Sequence, residues 1–215
     1  MQQGTFEPRV MFFGLTNSPA TFQSFMNAIF AHLVAKGVVN IYLDDIIIFT
    51  KTLEELREVT LEVLAILEKH DLFLQPQKCE FEKQEIEYLG LIICPGEISM
   101  DPSKVHAIAE WHTPTTLKEV QAALEFGNFY RCFYPNLAEV VKPLTDLTKK
   151  NEPFVWTRER QKAWEQFKEG FTKEPVLKLH DTDRPTHVII DASNVATGGI
   201  LQQKAEDGKW HLIAY

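Results

Sequence analysis

Cysteine is scarce in this chain. Cys79, Cys94 and Cys132 are an odd number, and no two form a CxxC pair. That argues against a disulfide scaffold or a zinc knuckle and points to a reducing compartment. Long apolar runs are missing too: none approaches the roughly 18–20 residues that span a bilayer, so no membrane partner is expected. The opening stretch, MQQGTFEPR, has no apolar core of the kind a secretory signal needs. An intracellular location, cytoplasm or nucleus, is the expectation. Basic excess is also lacking, with 22 Lys and Arg against 30 Asp and Glu and a net charge of −8. Proteins held to nucleic acid mainly through phosphates usually carry a basic footprint; here such contact is left to a local stripe on an acidic whole. Low-complexity tracts and internal repeats are absent as well.

What is present suits a soluble globular protein. The 215 residues are 45% hydrophobic, enough for one large domain or two small ones with a real core. Residues 17–35 read as a helix, with Asn17 or Ser18 as cap and Pro19 at the first helical position. VVNIYL and IIIF flank a DD pair and read as a β-hairpin. TLEELREVTLEVLAILEKH is an amphipathic helix with a capping box at Thr52 and Glu55. CEFEKQEIEYLGLIIC alternates as two short strands. From Asp101 to about residue 173 the pattern is helical, with Asp101 and Pro102 opening one helix and Thr116 and Glu119 boxing another. A third region starts near Pro175, where THVIIDAS, TGGILQQ and WHLIAY read as strands.

Asp44 and Asp45 sit between greasy runs. A solvated turn explains such a pair in the ordinary case, because Asp bonds nearby backbone N–H groups. A metal site is the sharper reading. Adjacent carboxylates repel, and a hard divalent cation such as Mg²⁺ relieves that repulsion, taking one or two carboxylates plus phosphate and water. Two such ions can stabilise the attacking and leaving oxygens of phosphoryl transfer.

The neighbouring motifs bear on this choice. FFGLTNSPATFQSFMN followed by YLDD resembles the nucleotide pocket and metal hairpin of reverse transcriptases. KCEFEKQEIEYLGLII, ISMDPSKVHAIAEW, NFYRCF, PLTDLTKK, PVLKL and DAS continue the likeness in order. Along nearly its whole length the chain resembles the Pol protein of gypsy-type LTR retrotransposons. The resemblance implies an α/β (α+β) fold: a partial palm over 1–95, a helical thumb over 96–155, and the beginning of an RNase H-like mixed sheet over 156–215. It implies an RNA-directed DNA polymerase lineage using Mg²⁺ or Mn²⁺, with an RNA or DNA template-primer and dNTP as partners.

By the same resemblance Asp44 and Asp45 are the catalytic metal ligands, and Asp191 is the first carboxylate of an RNase H site. Phe13, Gly14, Gln23 and Tyr42 line the nucleotide. Tyr88, Leu89 and Gly90 grip the primer, while Lys104, Lys118 and Arg131 contact phosphates. Three departures stand out: Phe12 where the family has proline, Glu125 where it has a small residue, and Cys132 where it has arginine. The last two make the presumed nucleic-acid face less basic. The family's first palm aspartate and its fingers fall upstream of the motifs found here, so the expectation is of a chain truncated at both ends. Its polymerase activity is then impaired unless a homodimer or partner chain completes the palm. An open palm edge would favour such pairing. A non-catalytic nucleic-acid-binding protein, a decayed reading frame and a metal-dependent nuclease using Asp44, Asp45 and Asp191 remain as alternatives.

Overall fold

Helix α1 (Ser18–Ile29) starts with Pro19 in its first turn, where a missing N–H costs nothing. Asn17 holds the cap position without a side-chain cap bond. The single helix expected over 17–35 is in fact two, α1 and α2 (Ala31–Lys36), divided at Phe30. The physical reason is burial. Phe30 is 0% exposed, and the bend sets its ring in the core with Met26 and Leu33. Burying such a ring is worth about 1.5–3 kcal/mol. The computed structural model describes residues 7–12, 14–173, 176–193 and 196–215. Phe13, from the candidate nucleotide pocket, and Pro175, where the third region was expected to start, lie outside the described residues. Contacts divide the chain into two units, Met1–Lys83 and Gln84–Tyr215.

In the first unit, strands β1 (Val39–Tyr42) and β2 (Asp45–Ile48) form an antiparallel hairpin. Helix α3 (Leu53–Lys69) follows. The Thr52 hydroxyl accepts the Glu55 N–H at 3.2 Å, satisfying an otherwise orphaned donor. Val59, Val63 and Leu67 recur every four residues and are buried. They join Met26, Phe30, Leu33, Val39 and Ile41 in one core, with Ile46 and Ile48 packed against it.

The second unit opens with strands β3 (Ile86–Tyr88), β4 (Leu91–Cys94) and β5 (Glu97–Met100). Helices α4 (Pro102–Ala109), α5 (Leu117–Phe129), α6 (Leu137–Val140), α7 (Lys142–Asp146) and α8 (Arg158–Thr172) follow. Asp101 caps α4 and Thr116 caps α5 as their sequence signals require. After α8 the chain returns as β6 (Leu177–Lys178), which pairs with β5 and completes an antiparallel sheet of order β3-β4-β5-β6. Lys178 Nζ meets Glu97 Oε1 at 2.5 Å across that pairing. Strands β7 (Thr186–Ala192), β8 (Thr197–Lys204) and β9 (Trp210–Ala214) form a separate antiparallel sheet with a bulge at Leu201/Gln202. The mixed α/β fold class is the one expected. No helix among the described residues is long and apolar enough to cross a membrane.

Aromatic rings on α8 hold this unit together. Trp164 stacks on Phe167 at 5.5 Å and meets Trp111 edge-on, and Phe167 meets Phe171 at 5.1 Å. The Tyr134 ring packs so tightly on Gly170 that a methyl there would fall 2.1 Å from it, while its hydroxyl donates to the Gln166 carbonyl at 2.7 Å. We expect Gly170→Ala to destabilise the protein by about 1–3 kcal/mol despite its better helix propensity, seen as a lower urea midpoint at unchanged m-value. Burial, and then Glu169, push the Tyr134 hydroxyl up to about 12. The folded chain therefore keeps a proton that the unfolded chain releases near the ordinary tyrosine value of about 10. This contribution is intact below pH ~10 and is lost as pH rises towards ~12. Tyr134→Phe should flatten the fall of stability across that window in urea titrations.

Candidate metal and nucleic-acid site

The hairpin carries its carboxylates by burying its other face. Ile41 and Ile46 lie opposite each other and pack towards the core, whereas Tyr42 and Asp45 are paired beside the turn and both exposed. The two-residue link is Leu43–Asp44 rather than the aspartate pair, so Asp44 stands in the turn and Asp45 begins β2. Leu43 has φ +54. An L-residue with a side chain pays about 1–2 kcal/mol for that region. Gln23, reaching from α1, spans the turn. Its Oε1 accepts the Leu43 N–H at 2.6 Å, and its Nε2 donates to the Ile41 carbonyl at 3.1 Å and to Asn27 Oδ1 at 2.8 Å.

Two exposed, adjacent carboxylates match the oxygen-donor chemistry that a hard divalent ion needs. Among the described residues no group of three or more His, Cys, Asp or Glu side chains is gathered closely enough to hold a metal ion. Asp191 lies on β7 opposite Gly198, exposed, with Oδ1 accepting the Ala192 N–H at 2.9 Å. Gly14 is exposed at φ +95, and a Cβ there would meet nothing within 4 Å.

Tyr88, Leu89 and Gly90 are brought together by the β3–β4 hairpin. Tyr88 pairs with Leu91, which makes Leu89–Gly90 the link, at φ +53 and +75. Two positive values in succession are the preferred twist for a two-residue hairpin. The Gly90 carbonyl accepts the Tyr130 hydroxyl and the Asp101 N–H, each at 3.2 Å. A Cβ on Gly90 would fall 2.6 Å from the Tyr130 oxygen. Burial, then Asp101 and Glu87, raise the Tyr130 hydroxyl above its usual range, which keeps it a donor. Asp101 is held low by the hydroxyl and N–H of Ser103.

Lys104 is exposed on α4 and its Cε passes 3.9 Å from the Cβ position of Gly90. Arg131, also exposed, follows Tyr130 directly. Lys118 stands at the other end of α5, roughly 20 Å along the axis from Arg131 at 1.5 Å per residue. The structure thus gathers Lys104, Tyr130 and Gly90 and leaves Lys118 apart. The sequence places Tyr130 in the NFYRCF motif, but its role at the Gly90 turn was missed; the available signal was a tyrosine at the end of an apolar-patterned helix.

Comparison with known proteins agrees with these motifs. Residues 1–93 match the family model described as reverse transcriptase (RNA-dependent DNA polymerase), and residues 156–215 match the RNase H-like domain found in reverse transcriptase. The retrovirus-related Pol polyprotein from transposon 297 of Drosophila melanogaster is 41% identical over 204 residues, covering 94% of this chain and 19% of that protein. The transposon Tf2-3 polyprotein of Schizosaccharomyces pombe is 32% identical over 213 residues, covering 99% and 16% respectively. The chain therefore spans under a fifth of these relatives. Among solved structures, the foamy viral protease-reverse transcriptase in complex with dsDNA superposes with a TM-score of 0.74 at 27% identity, over 95% of this chain and 42% of that one. The same viral protein in complex with RNA/DNA hybrid gives 0.73 at 25% identity, over 95% and 28%.

The close approach of Gly90 to Tyr130 is open to a double-mutant cycle. Gly90→Ala should cost about 1–3 kcal/mol, and part of that cost, about 1 kcal/mol, should vanish in a Tyr130→Phe background where the crowding oxygen is gone. Strict additivity in urea unfolding would refute the contact.

Proposed function

Residues 1–93 belong to the reverse-transcriptase family and residues 156–215 to its RNase H-like domain, and from that membership we propose that this chain supplies the metal-bearing hairpin and primer-holding parts of an RNA-directed DNA polymerase. One observation carries the reading. A hairpin packed into the core through Val39, Ile41, Ile46 and Ile48 presents two adjacent, exposed carboxylates, Asp44 and Asp45, at its turn. They hold Mg²⁺ or Mn²⁺. When bound, such ions stabilise the attacking and leaving oxygens of nucleotidyl transfer.

The chain's own residues do the positioning. Core packing fixes the hairpin, and the hairpin fixes where the carboxylates stand. Tyr42, exposed beside Asp45, and Gly14, with open space at its Cα, offer a surface to an incoming dNTP. The Tyr88–Gly90 hairpin, pinned by Tyr130, offers a rigid grip for a primer end, with Lys104 and Arg131 nearby for phosphates. Lys118 would reach a more distant phosphate. Template-primer recognition draws support from the foamy viral neighbours, which were solved in complex with dsDNA and with RNA/DNA hybrid. By the family resemblance a further carboxylate completes the site, supplied by another segment, a second copy or a partner chain.

The duplexes bound by the foamy viral neighbours also support a second reading, in which this chain holds a duplex without copying it. Primer extension on an RNA template with Mg²⁺ or Mn²⁺ separates the two. We expect extension by the wild type and a fall of roughly a thousandfold in Asp44→Asn/Asp45→Asn, the loss of several kcal/mol of charge stabilisation. Equal extension by both proteins would overturn the metal assignment. Absence of extension with retained duplex binding, whose affinity falls by a log–log slope of about −0.9 per neutralised phosphate as salt rises, would establish the binding reading instead.

A further inference from the structure

We propose that Gln23 is the positioning residue of the carboxylate hairpin, a role that rests on the reading of Asp44 and Asp45 as metal ligands. The strand register supplies the argument. The Phe49 N–H donates to the Val38 carbonyl at 3.0 Å, so residues 38 and 49 form a hydrogen-bonded pair. Alternation along an antiparallel ladder then makes 40/47 and 42/45 bonded pairs and turns the peptide groups of Ile41 outward, away from β2. The Ile41 carbonyl and the Leu43 N–H lie two residues apart on that outer side. They are the two groups that one residue of a neighbouring strand would bond. No strand is there among the described residues; the Gln23 amide takes both positions.

Its orientation is unambiguous. A carbonyl can only accept and a backbone N–H can only donate, so Nε2 faces Ile41 and Oε1 faces Leu43. Asn27, one turn further along α1, takes the second Nε2 hydrogen. Every donor of the Gln23 amide is therefore engaged, and none is left to address a nucleotide. Its base is rigid too: Met26 in α1 and the cap residue Phe30 anchor it in the core at 2% and 0% exposure.

The clamp matters because of what it holds. Leu43 occupies a left-handed conformation in which two-residue links usually place Gly, Asn or Asp. Asp44 and Asp45 follow it directly, so their placement depends on the backbone at Leu43. Removing the clamp lets the turn relax and the carboxylates spread among several positions, while the buried face of the hairpin stays packed.

The test uses the ¹⁵N-labelled 215-residue chain and two side-chain replacements. Gln23→Met keeps length and packing and loses both backbone bonds. Gln23→Glu keeps the acceptor for Leu43 and loses the donor to Ile41. Amide hydrogen exchange at Leu43 reports the clamp, and Mn²⁺ broadening of the Asp44 and Asp45 amides reports the metal site without reference to activity. In Gln23→Met, Leu43 should exchange about tenfold faster and half-broadening should need about tenfold more Mn²⁺, the effect expected from losing a typical hydrogen bond or two, with the thermal midpoint nearly unchanged. Gln23→Glu should restore much of the Leu43 protection. Wild-type broadening with an unchanged Mn²⁺ midpoint in Gln23→Met would overturn the positioning role while leaving the metal reading intact. Wild-type protein showing no broadening at the hairpin would overturn the metal reading, and the proposal with it, whatever Leu43 does.

Discussion

A two-stranded hairpin does not hold its shape alone in water, and everything proposed for Asp44 and Asp45 depends on what covers this one. The cover is α1, α2 and α3. Val39 and Ile41 from β1 share a core with Met26 and Phe30 on one side of the sequence and Val59, Val63 and Leu67 on the other. Because side chains alternate along a strand, that burial puts Tyr42 and Asp45 on the opposite face, where only Ile47 is also buried among the paired residues. A slip of one residue would bring Tyr42 and Asp45 inward and expose Ile41 and Ile46. The hydrophobic effect, which is not itself directional, thus fixes the direction in which two charges point.

Charge then meets chemistry at the tip. Neighbouring carboxylates repel, and exposure to water lowers the cost without removing it. Among the described residues no ion pair brings a cation to the tip: Lys and Arg partners lie elsewhere, as in Arg57–Glu82, Lys142–Asp146 and Arg184–Asp181. A net charge of −8 is compatible with a phosphate-bearing partner only if basic side chains collect locally. Lys104, whose Cε passes 3.9 Å from the Cβ position of Gly90, stands next to a rigid backbone turn, and Arg131 is exposed directly after Tyr130.

Much of this could be read from the sequence, for reasons that are themselves local. Thr52, Asp101 and Thr116 cap helices because a short polar side chain at that position bonds an N–H two or three residues on. Period-two and period-four apolar patterns placed the hairpin and α3 in the same way. What escaped was non-local or a matter of one residue. Phe30 breaks a helix whose pattern continues, since tertiary burial overrides propensity. Leu177 and Lys178 add a strand to residues 97–98 across some eighty residues of chain, with only two residues to signal it. The link at Leu43–Asp44 was displaced by one because leucine carries no turn signal. Gln23 was assigned to a nucleotide by resemblance, and nothing in the sequence shows that its amide lies against a strand edge.

The two hairpins that bear the candidate chemistry are built alike. Each links its strands through a leucine at positive φ, Leu43 at +54 and Leu89 at +53. Each is bonded by a polar side chain from a helix or its end: the Gln23 amide at Ile41 and Leu43, the Tyr130 hydroxyl at Gly90. A glycine at either leucine would ease the backbone and loosen it in the same stroke, because glycine also populates the other regions freely. A strained residue held by specific bonds has fewer places to go. Holding ligands or a primer end to a fraction of an ångström is worth more to a transfer reaction than relief of a kilocalorie or two of turn strain. The unfavourable torsion at Leu43 and the bonds that oppose it are therefore one device, in which the helix-borne amide and hydroxyl convert an unfavourable turn into a fixed one.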